Sequence, residues 1–174
     1  MKQMWSPWRM EYIRSEKPDG CIFCDLVKQD DDPENLILFR GKTCYVMMNR
    51  YPYTNGHLMV VPYQHADTPT ALDPQTMYEM MVQVNMCLEV LKEAMRPDGF
   101  NVGMNLGASA GAGIKDHVHM HIVPRWTGDT NFMPVLSDTR VIVEGLAQCY
   151  DSLRPLFDCR CELKPTDDAK KAES

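Results

Sequence analysis

Long apolar stretches are missing from this sequence: nowhere in its 174 residues do about 18 apolar side chains follow one another, as a membrane-crossing helix requires. Lys/Arg blocks are missing too, and the formal charge is −6, which leaves no basic face for the phosphates of a nucleic acid duplex. The opening MKQMWSPWRM carries basic residues but none of the apolar run of an export signal. These absences set the expectation of a cytoplasmic chain with neither a membrane nor a duplex as partner, while a small anionic ligand remains open because a few local cations suffice. Seven cysteines, an odd number without an export signal, read as reduced thiols with room for a metal site rather than as a disulfide framework.

What is present is ordinary for a globular chain, with 44% hydrophobic and 24% charged residues. Set against roughly 150 residues per domain, the length predicts one compact domain with short extra segments, which needs no disulfide to hold its core. The expected organisation is an N-terminal segment over 1–35, a histidine-bearing domain over 36–160 and a disordered tail over 161–174, where PTDDAKKAES has no large apolar side chain.

Short apolar runs at 36–39, 44–49 and 56–63, parted by turn residues such as Arg40-Gly41 and Pro52 to Asn55, predict antiparallel strands. A helix is expected next, with Asp73 as N-cap, Pro74 at its first position, and Met77, Met80, Met81, Val84, Cys87, Leu88, Leu91 and Met95 at steps of three or four. Pro97 and Gly99 end it. Strands over 100–107 and 117–126 flank a glycine-rich loop at 107–113, and a second helix is expected from about 138 to 157, capped by Ser137. The order β-β-β-α-β-β-α gives an α+β fold with one antiparallel sheet of about five strands and two main helices.

Only five histidines occur, and three of them alternate with apolar residues at 117, 119 and 121. Period two puts all three on one strand face, where mutual repulsion disfavours full protonation, so the pattern calls for a metal, a phosphate or a covalent electrophile. Cys21 and Cys24 have the two-residue spacing that lets two thiolates share a tetrahedral ion, with His65 and His117 as candidates for the other two positions. Four protein ligands would close the coordination sphere, make a zinc ion structural, and leave His119 and His121 for chemistry.

HVHMHIV resembles the alternating signature of the histidine triad nucleotide hydrolases and transferases, and NRYPYTNGHLMVVP resembles the segment that precedes it in that family. MWSPWRMEYI and PRWTGDTNFMPV are similar to the diadenosine polyphosphate phosphorylase branch. The resemblance implies a triad fold, a homodimer whose sheet continues across the interface, and a nucleotide or dinucleoside polyphosphate substrate. It implies His119 as the nucleophile on the α-phosphorus, His121 against the phosphate oxygens, His57 in the same pocket, Asn49 at the ribose and Asn105 near the phosphate. In zinc-containing relatives a CxxC, a later histidine and the first triad histidine hold the ion, which supports Cys21, Cys24, His65 and His117.

The sequence departs from that pattern at Gly113, where many members carry a phosphate-binding Gln four residues before the first triad histidine. The small-residue run with Ser109, Gly111 and Gly113 is then expected to meet an anion through backbone N–H groups, with Trp126 walling the site from water. Arg50, Lys115 and Arg125 read as surface charges. Three functions compete: nucleotidyl hydrolysis or transfer through a covalent histidine intermediate, with water or phosphate as acceptor; nucleotide binding for regulation or scaffolding, with weak phosphoramidate hydrolysis; and zinc hydrolysis at the triad itself.

Overall fold

In the computed structural model, residues 20–129 and 144–162 are described, the last two by backbone alone. Their elements are α1 (Ile22–Leu26), α2 (Asp32–Asn35), β1 (Ile37–Arg40), β2 (Cys44–Met48), β3 (Leu58–Pro62), α3 (Pro74–Met95), β4 (Gly99–Gly103), β5 (Met120–Arg125) and α4 (Leu146–Glu162). The five strands form one antiparallel sheet in the order β1-β2-β3-β5-β4, so the α+β expectation holds.

Helix α3 starts where its chemistry dictates: the Asp73 carboxylate accepts the Thr76 N–H and Pro74 occupies the first turn. It ends with Arg96 in the left-handed region, just ahead of Pro97. Most of its methionines serve packing: Met80 is fully buried beside Val84, Cys87, Val90 and Leu91, with Met77, Met86 and Met95 against them, whereas Met81, expected on the same face, is exposed. Helix α4 spans Leu146–Glu162; the expected start near 138 and its cap Ser137 lie outside the described residues, as do MWSPWRMEYI, the second half of the PRWTGDTNFMPV segment and the tail from 163. The sequence reading also passed over α1 and α2, which are too short for a periodic signal; α2 forms because Asp31 caps the Glu34 N–H and Pro33 sits in its first turn.

Both faces of the sheet are covered at its centre, and alternation sorts the side chains between them. Cys44, Val46 and Met48 of β2 with Leu58 and Val60 of β3 join Ile122 in a core beneath α3 and α4. Tyr45, Met47, Met59 and Val61 point the other way and pack with Ile37 and with Phe23 of α1. Because Ile122 belongs to the helix-covered face, His121 falls on the opposite one, beside α1.

Glu79 of α3 fastens the β1–β2 turn, accepting the Lys42 N–H at 2.7 Å, the Thr43 N–H at 3.0 Å and the Thr43 hydroxyl at 2.8 Å. Burial raises its carboxyl, but the bonds from Thr43 and Lys42 outweigh that and hold it below the usual value. Since the folded group titrates lower than the unfolded one, its stabilisation is present at neutral pH and lost as pH falls through the carboxylate range. Glu79→Ala is expected to cost about 2 kcal/mol of stability and to leave enzymatic turnover per molecule unchanged. Urea denaturation with steady-state kinetics checks this, and an unmoved midpoint would remove the fastening role.

Candidate active site and metal centre

Strand β5 begins at Met120, later than the sequence pattern predicts, and of the three alternating histidines only His121 lies in the ladder. The reason is local. The preceding segment is drawn off to other partners: the Val118 N–H donates to Ala66 at 2.6 Å, and the His117 ring bonds the Pro62 carbonyl at 2.9 Å. Pro62 itself has no N–H to offer a neighbouring strand. His117 therefore parts company with His119 and His121 in what it touches.

The His117 Nε2–H donates to Pro62, which leaves Nδ1 as a lone pair. That atom lies 3.2 Å from the Cys21 sulfur and 3.5 Å from the Cys24 sulfur, while His65 Nδ1 lies 3.4 Å from Cys24. The four ligand atoms all fall within 4.8 Å of one another. A tetrahedron with Zn–S of about 2.3 Å and Zn–N of about 2.05 Å has S···N edges of about 3.6 Å, so the residues fit zinc in number, donor type and spacing. The donor chemistry agrees: burial and the neighbouring Cys21 push the Cys24 thiol up to about 11, so without a cation the thiol keeps its proton. A bond from the other ring nitrogen of a metal-binding histidine to a backbone carbonyl, as from His117 to Pro62, is the usual device for orienting the ring.

His119 is held differently. Its Nδ1–H donates to the His117 carbonyl at 2.9 Å, which fixes the tautomer and leaves the lone pair on Nε2. Burial lowers its pKa below the ordinary histidine value, the bond to His117 opposing this, so the ring is neutral at pH 7. His121 lies beside it, ring centroids 4.7 Å apart. The Tyr53 N–H donates to His57 Nδ1 at 3.1 Å; His57 must then carry its proton on Nε2, which meets His121 Nδ1 at 2.9 Å. That order of donors places the His121 proton on its own Nε2. The outcome is two adjacent imidazoles of opposite character, His119 with a lone pair at Nε2 and His121 with a proton there.

Of the other expected site residues, Asn49 joins the group, its Nδ2 3.4 Å from His57 Nδ1 and its Oδ1 accepting the Tyr51 N–H. The antiparallel register pairs Gly103 with His121, and Asn105 lies two residues beyond the end of β4. Ser109 is exposed on the short turn Ala108–Ala110, and Gly111 closes that turn with φ 85°. The loop is not a row of open amides: the N–H groups of Ala110 and Ala112 bond Gly107, and that of Gly111 bonds Ala108. Gly113 follows this turn, four residues before His117. Trp126 stands at the far end of β5, its indole N–H donating to the Met95 carbonyl, so a single chain does not bring it to the histidines.

Arg50 bonds the Glu34 carbonyl, Lys115 faces Asp116, and Arg125 is held by Asp129 and Asn101, all as surface contacts. Two residues escaped the sequence reading. Tyr53 sets the tautomer of His57 through its N–H and lays its ring 4.5 Å from that imidazole; its place in the turn four residues before His57 was the available signal. Phe23, between the two cysteines, packs its ring on both His117 and His119.

The HIT domain family model matches residues 31–128. AP-4-A phosphorylase of Mycobacterium tuberculosis is 38% identical to this chain over 155 residues, covering 84% of this chain and 79% of the phosphorylase. Among solved structures, a Zn-bound histidine triad family protein from Mycobacterium smegmatis superposes with a TM-score of 0.66 at 25% identity, covering 83% of this chain and 98% of that one. Diadenosine triphosphate hydrolase of Plasmodium falciparum, at 17% identity, shares the fold with a TM-score of 0.61 over 88% of this chain and 95% of its own. With more than half its length matched by the family model and a relative at 38% identity across most of it, the chain belongs to the HIT domain family.

Proposed function

We propose that this protein is a nucleotidyl transferase that cleaves dinucleoside polyphosphates at an α-phosphate through a covalent nucleotidyl-His119 intermediate, with inorganic phosphate as acceptor. The observation that carries this reading is the pair of complementary rings, His119 with its lone pair at Nε2 beside His121 with its proton there. The family and the M. tuberculosis phosphorylase supply the substrate class.

In the first step the His119 Nε2 lone pair forms a P–N bond as the bond from the α-phosphorus to the bridging oxygen breaks. The leaving polyphosphate takes that electron pair, and His121 donates to the phosphate oxygens as charge develops on them. In the second step a phosphate oxygen attacks the same phosphorus and the P–N bond breaks, returning its pair to Nε2. His57 keeps His121 in the donating tautomer. Asn49 holds the ribose, Asn105 and the Ser109 hydroxyl approach the phosphates, and Gly111 and Gly113 leave room for the acceptor anion where a Gln side chain stands in other members.

Cys21, Cys24, His65 and His117 would hold a zinc ion, and four protein ligands would make its part structural rather than catalytic. The chain acts as a cytoplasmic homodimer joined through β4, an edge strand whose residues 101–103 are exposed. Among the described residues no helix is long and apolar enough to cross a membrane.

Incubation with diadenosine tetraphosphate and millimolar phosphate is expected to give ADP and ATP. The same protein without phosphate gives far slower turnover. A product mixture of AMP and ATP in the presence of phosphate would overturn the acceptor assignment and leave the His119 nucleophile standing.

A further inference from the structure

A single hydrogen bond, from Nδ1–H to the His117 carbonyl, fixes which His119 nitrogen carries the proton, but a bond at one atom does not fix the plane of the ring. Packing must do that. Two aromatic rings flank the imidazole: His121, with centroids 4.7 Å away and planes at 71°, and Phe23, at 4.9 Å and 58°. His121 is anchored through His57 in the histidine network. Phe23 comes from elsewhere, being one of the two residues enclosed by the cysteine pair Cys21-Ile22-Phe23-Cys24.

Phe23 is well suited to hold a neighbour still. It is 3% exposed and packs among Ile37, Tyr45, Met47, Met59 and Val61. Its backbone is pinned as well, since the Tyr45 hydroxyl donates to the Phe23 carbonyl at 2.9 Å. The ring also meets His117 edge-on at 5.4 Å, so one side chain touches a candidate zinc ligand and the nucleophile together.

We infer that Phe23 is a positioning residue for His119, holding the plane of the nucleophile's imidazole from the turn that carries the two metal-binding cysteines. The inference rests on the reading of His119 as nucleophile given above. It gives the cysteine turn a role beyond stability, because that turn then reaches the reacting nitrogen by two routes, the peptide carbonyl of His117 and the ring of Phe23. In-line attack tolerates little misplacement, and about 1 Å is enough to cost up to 100-fold in rate. Leucine in place of phenylalanine keeps most of the apolar volume and removes the aromatic ring that the imidazole meets at a tilt.

The test compares full-length wild type with Phe23→Leu, each zinc-loaded and each stripped by chelator, with zinc content measured on every sample. Formation of nucleotidyl-histidine is followed in single turnovers, and the tautomer and mobility of the His119 ring are read by nitrogen NMR on histidine-labelled protein. At matched metal state, Phe23→Leu is expected to form the covalent intermediate about tenfold or more slowly, with KM within about twofold of wild type and a His119 signal averaged over more than one ring state. A purely structural Phe23 would lower the melting temperature and leave the single-turnover rate and the His119 signal untouched; that result overturns the inference. Phe23→Tyr, which keeps the ring, is expected to restore the rate, and a Tyr variant as slow as the Leu variant would count against it equally. If wild type forms no nucleotidyl-histidine at all, the nucleophile reading fails, while the NMR comparison still decides whether Phe23 orders the His119 ring.

Discussion

His119→Ala is expected to abolish turnover of diadenosine tetraphosphate, lowering kcat by at least about 1000-fold while nucleotide affinity stays within about tenfold. The asymmetry comes from what the side chain does. In the proposed mechanism His119 Nε2 contributes a bond that exists only once reaction begins, whereas other groups hold ribose and phosphates, so its removal acts on the chemical step. His121→Ala should be milder, about 100-fold, because it removes one donor to the developing charge and leaves the nucleophile in place. His57→Ala should resemble it, since His121 loses the partner at Nδ1 that keeps its proton on Nε2. The measurements are steady-state kinetics, equilibrium binding of a non-hydrolysable dinucleotide and trapping of the labelled adduct. More than a few per cent of wild-type turnover in His119→Ala would replace the covalent mechanism with directly activated water.

How much of this arrangement could be read from the residues depended on how local each signal was. The cap at Asp73, the proline at 74 and the apolar spacing that follows are carried within one stretch of chain, and α3 forms where they place it. The same is true of the alternation in β2 and β3, which sorts two cores onto two faces. The convergence of Cys21, Cys24, His65 and His117 was legible for a different reason: two thiols at fixed spacing leave few candidates for partners in a chain with five histidines. Period two misled at His117, because a strand pattern says nothing of Pro62 and Ala66, distant in sequence, whose carbonyls take the segment out of the ladder. The glycine-rich loop misled similarly. Small residues were read as open amides, and three of those amides instead close the loop on itself. Tautomers lie wholly beyond sequence, since they are set by which atom stands 3 Å away across the fold.

Stripping the metal is expected to lower the melting temperature by about 10 °C or more, before turnover at lower temperature is lost. Protein purified without added zinc should carry about one equivalent per chain. The magnitude follows from two limits. Small zinc domains owe their whole fold to the ion, about 10–16 kcal/mol of binding. Here the sheet has its own core under α3 and α4, so the ion ties down only α1 and the segments around His65 and His117, an effect of about 3–5 kcal/mol; at roughly 2–4 °C per kcal/mol for a chain of this size, that is a shift of the stated order. Zinc retention should also weaken as pH falls, because the proton competes for the same sulfur and nitrogen atoms, and Cys24, pushed up to about 11, holds its proton tightly once the cation is gone. Cys24→Ala should reproduce the loss without chelator, since that sulfur contacts both ligand histidines. Metal analysis well under one equivalent, together with an unmoved melting temperature after chelation, would mean that the four side chains meet as a packed cluster of thiols and imidazoles. If the four side chains meet only as a packed cluster, Cys24→Ala should behave as a small-volume change worth about 1 kcal/mol or less.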